Sequence, residues 1–434
     1  MRDLIIAGLL FGAVPFILAR PKFGIAAWCV VSYMNPHRLA YGFAYSYPFA
    51  MITGGATLVS LLFSKDPKRI PWTPMSIVWA IFIGWMIFTT FFALVPVDAQ
   101  AECIRTMKIQ LMAFVTLMIM TSRDRLNLLV WAIVISLGFY GVKGGVFAFM
   151  MDGEYRVSGP PESFISDNNS LALALIMTIP LMRYLQLNSE RLFVRLGLTA
   201  AIVLTVLAAL ASYSRGAFLA MSTIAVIFFL KSRHKVRILL AMAVFIPTLL
   251  AFLPDQWFDR IDTIKSYDTD VSTLGRFNAW WFAFNIAKEY PIGGGFAVFD
   301  KELFKRYAPE PENFHDSHSI YFQVLGEHGF IGLALFLLLL YLAFRNGTWI
   351  KKHAGSREDL RWAADLGAMV QVSLVGYAVG GAFLGMAYFD LYYHLAAISL
   401  LTRLQVEKAL ADESVAMPAP ATIPSTAVFA RESV

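Results

Sequence analysis

The stretch GFIGLALFLLLLYLAF (329–344) contains no charged residue, and Arg345, Lys351, Lys352, Arg357 and Arg361 follow it. An uncharged run of about this length, inside a span of 318–344, suits a helix that crosses a hydrocarbon core. Lysine and arginine just beyond it mark a cytoplasmic flank. Runs of the same kind recur near 3–19, 22–34, 47–63, 74–94, 105–121, 126–150, 167–185, 195–212, 215–230, 237–253, 363–386 and 391–405. The first two are short and flank Arg20-Pro21-Lys22, so they are two spans or one broken unit, and the total is twelve or thirteen. Lipid offers no hydrogen-bond partner to a backbone, so the spans must be helices. The expected fold class is an all-α polytopic membrane protein with about 12 transmembrane helices.

Composition agrees. Of 434 residues, 58% are hydrophobic and 15% charged, against roughly 25% charged in a soluble domain. The net charge of +6 sits largely in short loops, which argues against nucleic acid as a partner. Cys29 and Cys103 lie in or beside apolar segments and offer no disulfide framework or zinc spacing. The apolar N-terminus lacks a small-residue cleavage site and reads as a retained first helix.

Basic residues orient the chain. The loops near 64–72, 122–126, 183–195, 231–237 and 345–361 hold most of them, and the span order puts all five on one side, the cytoplasm. The C-terminus falls there too, and an even helix count would also place the N-terminus inside. The opposite side has connections near 95–104, 151–166 and 213–214, and one large loop. Four regions result: N-terminal membrane helices (1–253), an outer loop domain (254–317), C-terminal membrane helices (318–405) and a disordered cytoplasmic tail (406–434). Within the loop, LGRFNAWWFAFNIAKEY (274–290) has apolar residues at helical spacing, and PIGGGF (291–296) breaks it. The inverted repeat that points to a transporter is not evident.

Several basic residues stand on the outer side, where topology does not favour them. Arg215, in ASYSRGAF, occupies a tight turn between two spans; it is a snorkelling side chain or a ligand for an anion. Arg276, in STLGRFNAW, opens the amphipathic helix, where free N–H groups and the dipole suit an anion; a salt bridge to Asp268 or Asp270 is the alternative. Lys143, in GVKGGVF, lies inside a span, where a lysine is costly and usually faces a cavity. Gly141, Gly144 and Gly145 beside it permit close approach of backbone or ligand. Arg156 follows in EYRVSGPPESFISDNNS, where Ser166 or Asp167 can N-cap the next helix. His318, in HDSHSIYFQVLGEHGFIG, marks where the outer loop returns to the membrane. Structural roles are open to it, as they are to His315 and His328. His315, Asp316 and His318 lack the facing spacing of a helical metal pair, and no metal or other cofactor is expected. Far apart in sequence, Lys143, Arg156, Arg215, Arg276 and His318 share one membrane face. Several cations and one titratable base suit a polyanionic lipid headgroup such as a diphosphate.

His318-Ser319, nine residues, then Gly329-Phe330-Ile331-Gly332 resembles the signature of bacterial O-antigen ligases, and SYSRGA and LGR resemble that family's two arginine segments. The layout of many helices and one large loop before the histidine is similar as well. The N-terminal half, with GPPESFISDNN, resembles the subgroup found in exosortase-linked polysaccharide systems. The resemblance covers most of the chain. It implies a GT-C-type glycosyltransferase of the bacterial inner membrane, acting at the periplasmic face by metal-independent, inverting transfer. The donor would be a polysaccharide on undecaprenyl diphosphate, and the acceptor the lipid A–core oligosaccharide. His318 would be the base, with Arg215 and Arg276 on the diphosphate; Lys143 and Arg156 join them from topology alone. O-antigen polymerases share the superfamily, and polymerisation of lipid-linked repeats is the alternative activity. A transporter or flippase for an anionic lipid-linked glycan is the alternative class. It predicts charges at mid-membrane with access from both sides.

Overall fold

A computed structural model describes residues 1–151, 153, 155–231, 235–236 and 271–416. The expected span at 237–253, Asp268, Asp270, Arg233, Arg237 and the last part of the tail lie outside those residues. Among the described residues all regular structure is helical.

The helices are α1 (Arg2–Ala19), α2 (Pro21–Cys29), α3 (Phe49–Phe63), α4 (Pro74–Thr90), α5 (Pro96–Ile119), α6 (Arg123–Met150), α7 (Asn168–Leu187), α8 (Leu192–Leu210) and α9 (Arg215–Lys231). Then come α10 (Val271–Glu289), the short α11 (Lys301–Tyr307), α12 (Ile320–Ala354), α13 (Arg361–Gly381) and α14 (Asp390–Ala416). Six of these, α1, α6, α7, α8, α12 and α13, are long and apolar enough to cross a membrane; α3, α4 and α9 are apolar but shorter. The chain is a multi-pass membrane protein.

Local sequence sets where helices start. Thr73 and Ser76 cap each other reciprocally ahead of α4, with Pro74 at its first position. Asp167 caps α7 by accepting from the N–H groups of Asn169 (2.9 Å) and Ser170 (3.0 Å), so Asp167 rather than Ser166 is the cap.

The core is built around α7 and α14. α7 is enclosed by α6, α8 and α13, and α14 by α5, α12 and α13; residues 390–401 are buried without interruption. Glycines let α6 and α8 cross closely. A methyl group added at Gly145 would meet the Leu204 carbonyl at 2.1 Å, and one at Gly141 would meet Thr205 Oγ1 at 2.2 Å. The glycines around Lys143 thus admit a neighbouring helix, which is how small residues serve membrane helix packing.

Two ends can be told apart. At one, Arg38 pairs with Glu162 (2.6 Å) and Asp3 Oδ1 accepts from the N–H groups of Gly42 (2.9 Å) and Ala44 (3.1 Å). The start of α1, the segment 35–48 and the loop 151–166 therefore share this end. At the other, Arg125 pairs with Asp66 (2.7 Å), Asn188 donates to Asp365 and Arg357 reaches Asp359 and Glu413, which gathers the basic loops. α1 and α2 are two separate antiparallel helices: Ser60 Oγ donates to Leu18 O (3.1 Å) at the basic end.

Some boundaries differ from the apolar runs. α5 starts at Pro96, within the expected 95–104 connection, and α14 continues to Ala416, beyond 405. Helices run on past the hydrocarbon thickness wherever polar residues can be solvated. α12 is broken at Gly329 (φ 65°, ψ −167°), a conformation essentially confined to glycine.

Candidate active site

The end of the bundle away from the basic loops is assembled on α10. This helix holds the segment that leads to His318. Asn278, buried, donates from Nδ2 to the carbonyls of Glu310 (2.8 Å) and Asn313 (3.1 Å) and accepts from the Glu310 N–H (2.9 Å). Trp280 Nε1 donates to the carbonyl of Ser317 (2.8 Å), next to His318, and its ring stacks on Phe322 at 4.9 Å. Asn285 donates to the carbonyl of Tyr307 (2.8 Å). Gly275 leaves room for His315: a methyl group there would lie 2.5 Å from its ring. A chain without regular structure from 314 to 318 is thereby fixed by side chains of one helix.

His318 has a left-handed backbone (φ 39°). Few non-glycine residues adopt it, and such outliers gather at functional sites. The side chain faces open space on one side and protein on the other. Partial burial, and next the charge of Arg276, hold its imidazole below the ordinary histidine value; Asp316 and Asp167 pull upward and His315 adds to the depression. That direction favours the uncharged ring at neutral pH.

Arg276 sits in the first turns of α10, beside Gly275 and its histidine. Arg215 opens α9. The following Gly216 packs on Phe383, 3.2 Å from where its methyl group would be, and the Phe383 ring lies 6.5 Å from that of Trp280. Arg215, Arg276 and His318 thus border one patch centred on Phe383 and Trp280. Arg156 is exposed in the outer loop, next to Val157, whose N–H donates to the Ala211 carbonyl (3.2 Å) in the turn before Arg215. Asn168 ties the same turn to α7 through the Ser212 carbonyl (2.6 Å). Lys143 stands apart: it is exposed on a face of α6 that it shares with Phe139, Val146, Phe147 and Met150. Among the described residues no group of three or more His, Cys, Asp or Glu is arranged to hold a metal ion, His315, Asp316 and His318 included.

The two glycine motifs interlock behind the site. Gly294 and Gly295 donate their N–H groups to the carbonyls of Gly326 and Glu327 (both 2.8 Å), and the Leu94 N–H donates to the Gly294 carbonyl (2.8 Å). A methyl group at Gly329 would meet the Pro291 carbonyl at 2.1 Å, and one at Gly293 the Glu327 carbonyl at 2.5 Å. Buried just beneath, Glu327 accepts from the Tyr388 hydroxyl (2.5 Å), and His328 Nδ1 pairs with the Thr89 hydroxyl (2.7 Å).

Sequence reasoning passed over Arg105. Its guanidinium lies 4.0 Å over the Phe164 ring and 3.4 Å from Glu102, and Phe164 faces Phe389 at 6.2 Å. The signal was present in the charged turns that begin α5, Asp98, Glu102, Arg105 and Lys108, but it fell on an assumed span boundary. Asn278 and Trp280 were missed as well, because neither titrates.

Residues 200–337, which contain Arg215, Arg276, His318 and both glycine motifs, match the family described as O-antigen ligase. Residues 1–190 match a family of unknown function. No curated protein matches the chain. The likeness to O-antigen ligases and polymerases thus rests on the segment 200–337, about a third of the chain, and it is the segment that holds the candidate site.

Proposed function

We propose that the protein is an O-antigen ligase of the bacterial inner membrane. It transfers a polysaccharide from undecaprenyl diphosphate to the lipid A–core oligosaccharide on the periplasmic face. The observation that carries this reading is His318, an uncharged base beside Arg276 within the ligase-matched segment. The position of that patch, at the end of the bundle away from the basic loops, supports a periplasmic site. In this scheme 1–253 and 318–405 are the membrane regions, 254–317 the periplasmic domain and 406–434 a cytoplasmic tail, in a GT-C-type enzyme.

The acceptor hydroxyl is a poor nucleophile until its proton leaves. His318 takes that proton as the oxygen attacks the anomeric carbon of the donor. The bond to the diphosphate breaks in line, which inverts the centre, and the electron pair leaves with the diphosphate. Charge grows on those oxygens, and the guanidinium groups of Arg215 and Arg276 stabilise it, in a step routed through no metal. Arg156 extends the cationic rim towards the glycan. Lys143 reaches headgroup level along the lipid-facing side of α6, as long basic side chains do.

The test is transfer in vitro with purified protein, lipid-linked glycan and candidate acceptors, core oligosaccharide and protein, with and without chelator. His318→Ala stops transfer while the lipid-linked polymer accumulates in cells. Full ligation by that variant removes the base assignment, and activity lost in chelator removes the metal-free step. Single repeats accumulating in a deletion strain identify a polymerase instead.

A further inference from the structure

The face of α10 opposite the buried Ala279, Phe282, Ala283 and Ile286 is apolar and open. Leu274, Phe277 and Trp281 are 40%, 43% and 57% exposed, and Phe284 and Lys288 continue the row at alternating steps of three and four residues. That spacing keeps one stripe on one side of a helix. Polar outer loops do not present such a stripe to water without cause.

The middle and the far end of α10 are tied to the outer ends of other helices. Its middle reaches α9 through Trp280, Phe383 and Gly216. Just past its last turn, Gly294 is bonded to Leu94, which follows α4. A helix fixed at that height at its middle and at its far end lies along the membrane plane. Its stripe also runs into a surface that already faces lipid: the Phe284 ring is edge-on to Phe330 at 6.3 Å, and Phe330 and Ile331, 46% and 49% exposed, begin the outward side of α12. Phe88, Phe91 and Phe92, exposed at the outer end of α4, mark the same level. Aromatic residues collect at that interface.

The geometry points to α10 as an interfacial helix whose Leu274–Phe277–Trp281 stripe is seated in the outer-leaflet lipid, the bilayer being its binding partner. Asn278 and Trp280, on the two flanks of the stripe, then lie at headgroup height, and with them the segment leading to His318. Helices of this amphipathic kind lie in the interface plane with the apolar side among the acyl chains. The inference is independent of the glycosyl-transfer reading.

The full chain in phospholipid nanodiscs tests it. Trp281→Cys and, separately, Phe277→Cys are labelled with a nitroxide, and collision with oxygen is compared with collision with a water-soluble nickel chelate. Cys29 and Cys103 are buried, so the wild type supplies the labelling background. Lys301→Cys on α11, exposed to water, is the aqueous reference. The expected result is an oxygen-to-nickel ratio several-fold above the reference at both sites. Labels that meet mainly nickel place the stripe in water and overturn the inference. Labels shielded from both reagents show that protein covers the stripe and overturn it equally.

Discussion

His318 and Arg276 form a coupled pair, and the coupling has a sign. In the proposed mechanism His318 works only as neutral imidazole, so activity is expected to fall as pH drops through its pKa. Burial and Arg276 hold that pKa below the ordinary value, so the acid limb of kcat/KM for the wild type lies below that of a free histidine, about 6.5. Arg276→Gln removes one of the depressing charges and moves the limb to higher pH. By comparison with lost donors at other charge-stabilising sites, it also lowers kcat by roughly 10²–10³-fold. A pH–rate profile of the variant checks both, and an unmoved limb separates Arg276 from the base. Gly329 is a different kind of residue. Gly329→Ala meets the Pro291 carbonyl and a backbone region closed to side chains, where strain alone costs about 1–3 kcal/mol. The expected outcome is a large fall in thermal stability in detergent, or no folded protein, read by size exclusion and a melting curve.

At the scale of the element, α10 is the scaffold for the segment that carries His318. Asn278→Ala leaves two carbonyls and one N–H without their buried partner, each unpaired group costing about 1–3 kcal/mol. Because those bonds hold 310–313 rather than a membrane helix, transfer should fall tenfold or more while the main melting transition moves little. Equal losses in both would make Asn278 a general stability residue. Trp280→Phe keeps the ring on Phe322 but drops the bond to Ser317, and should loosen His318 alone. Much of this element was legible. The 274–290 periodicity places the helix within a few residues, and PIGGGF marks its stop. The break in α12 was not legible, because the apolar pattern runs through Gly329 without a change; only the approach of Pro291 from another segment demands it. Asn278 and Trp280 escaped notice for a related reason: their bonds go to backbone atoms, which leave no mark on residue type.

For the whole molecule, the distribution of charge placed the basic loops together, and the ion pairs at that end agree with it. The N-terminus is where loop charge gave least guidance, since the count of spans was open by one. Asp3 decides it by bonding to Gly42 and Ala44, at the same end as Arg38 and Glu162. A short N-terminal tag should therefore be cleaved by protease added to spheroplasts, while a cysteine in place of Lys351 reacts with an impermeant reagent only after permeabilisation. A protected tag contradicts that arrangement. Arg105 belongs to this scale too, because α5, the 151–166 loop and the segment before α14 must all assemble before Phe164 and Phe389 come beside it.

The interlocked glycines also fix an order of events during synthesis. Residues 291–296 leave the ribosome before 326–332, and Leu94 well before either. The partner on which the Gly329 bend packs is therefore made before the bend itself, and α12 takes its final shape only where Pro291 and Gly293 meet it.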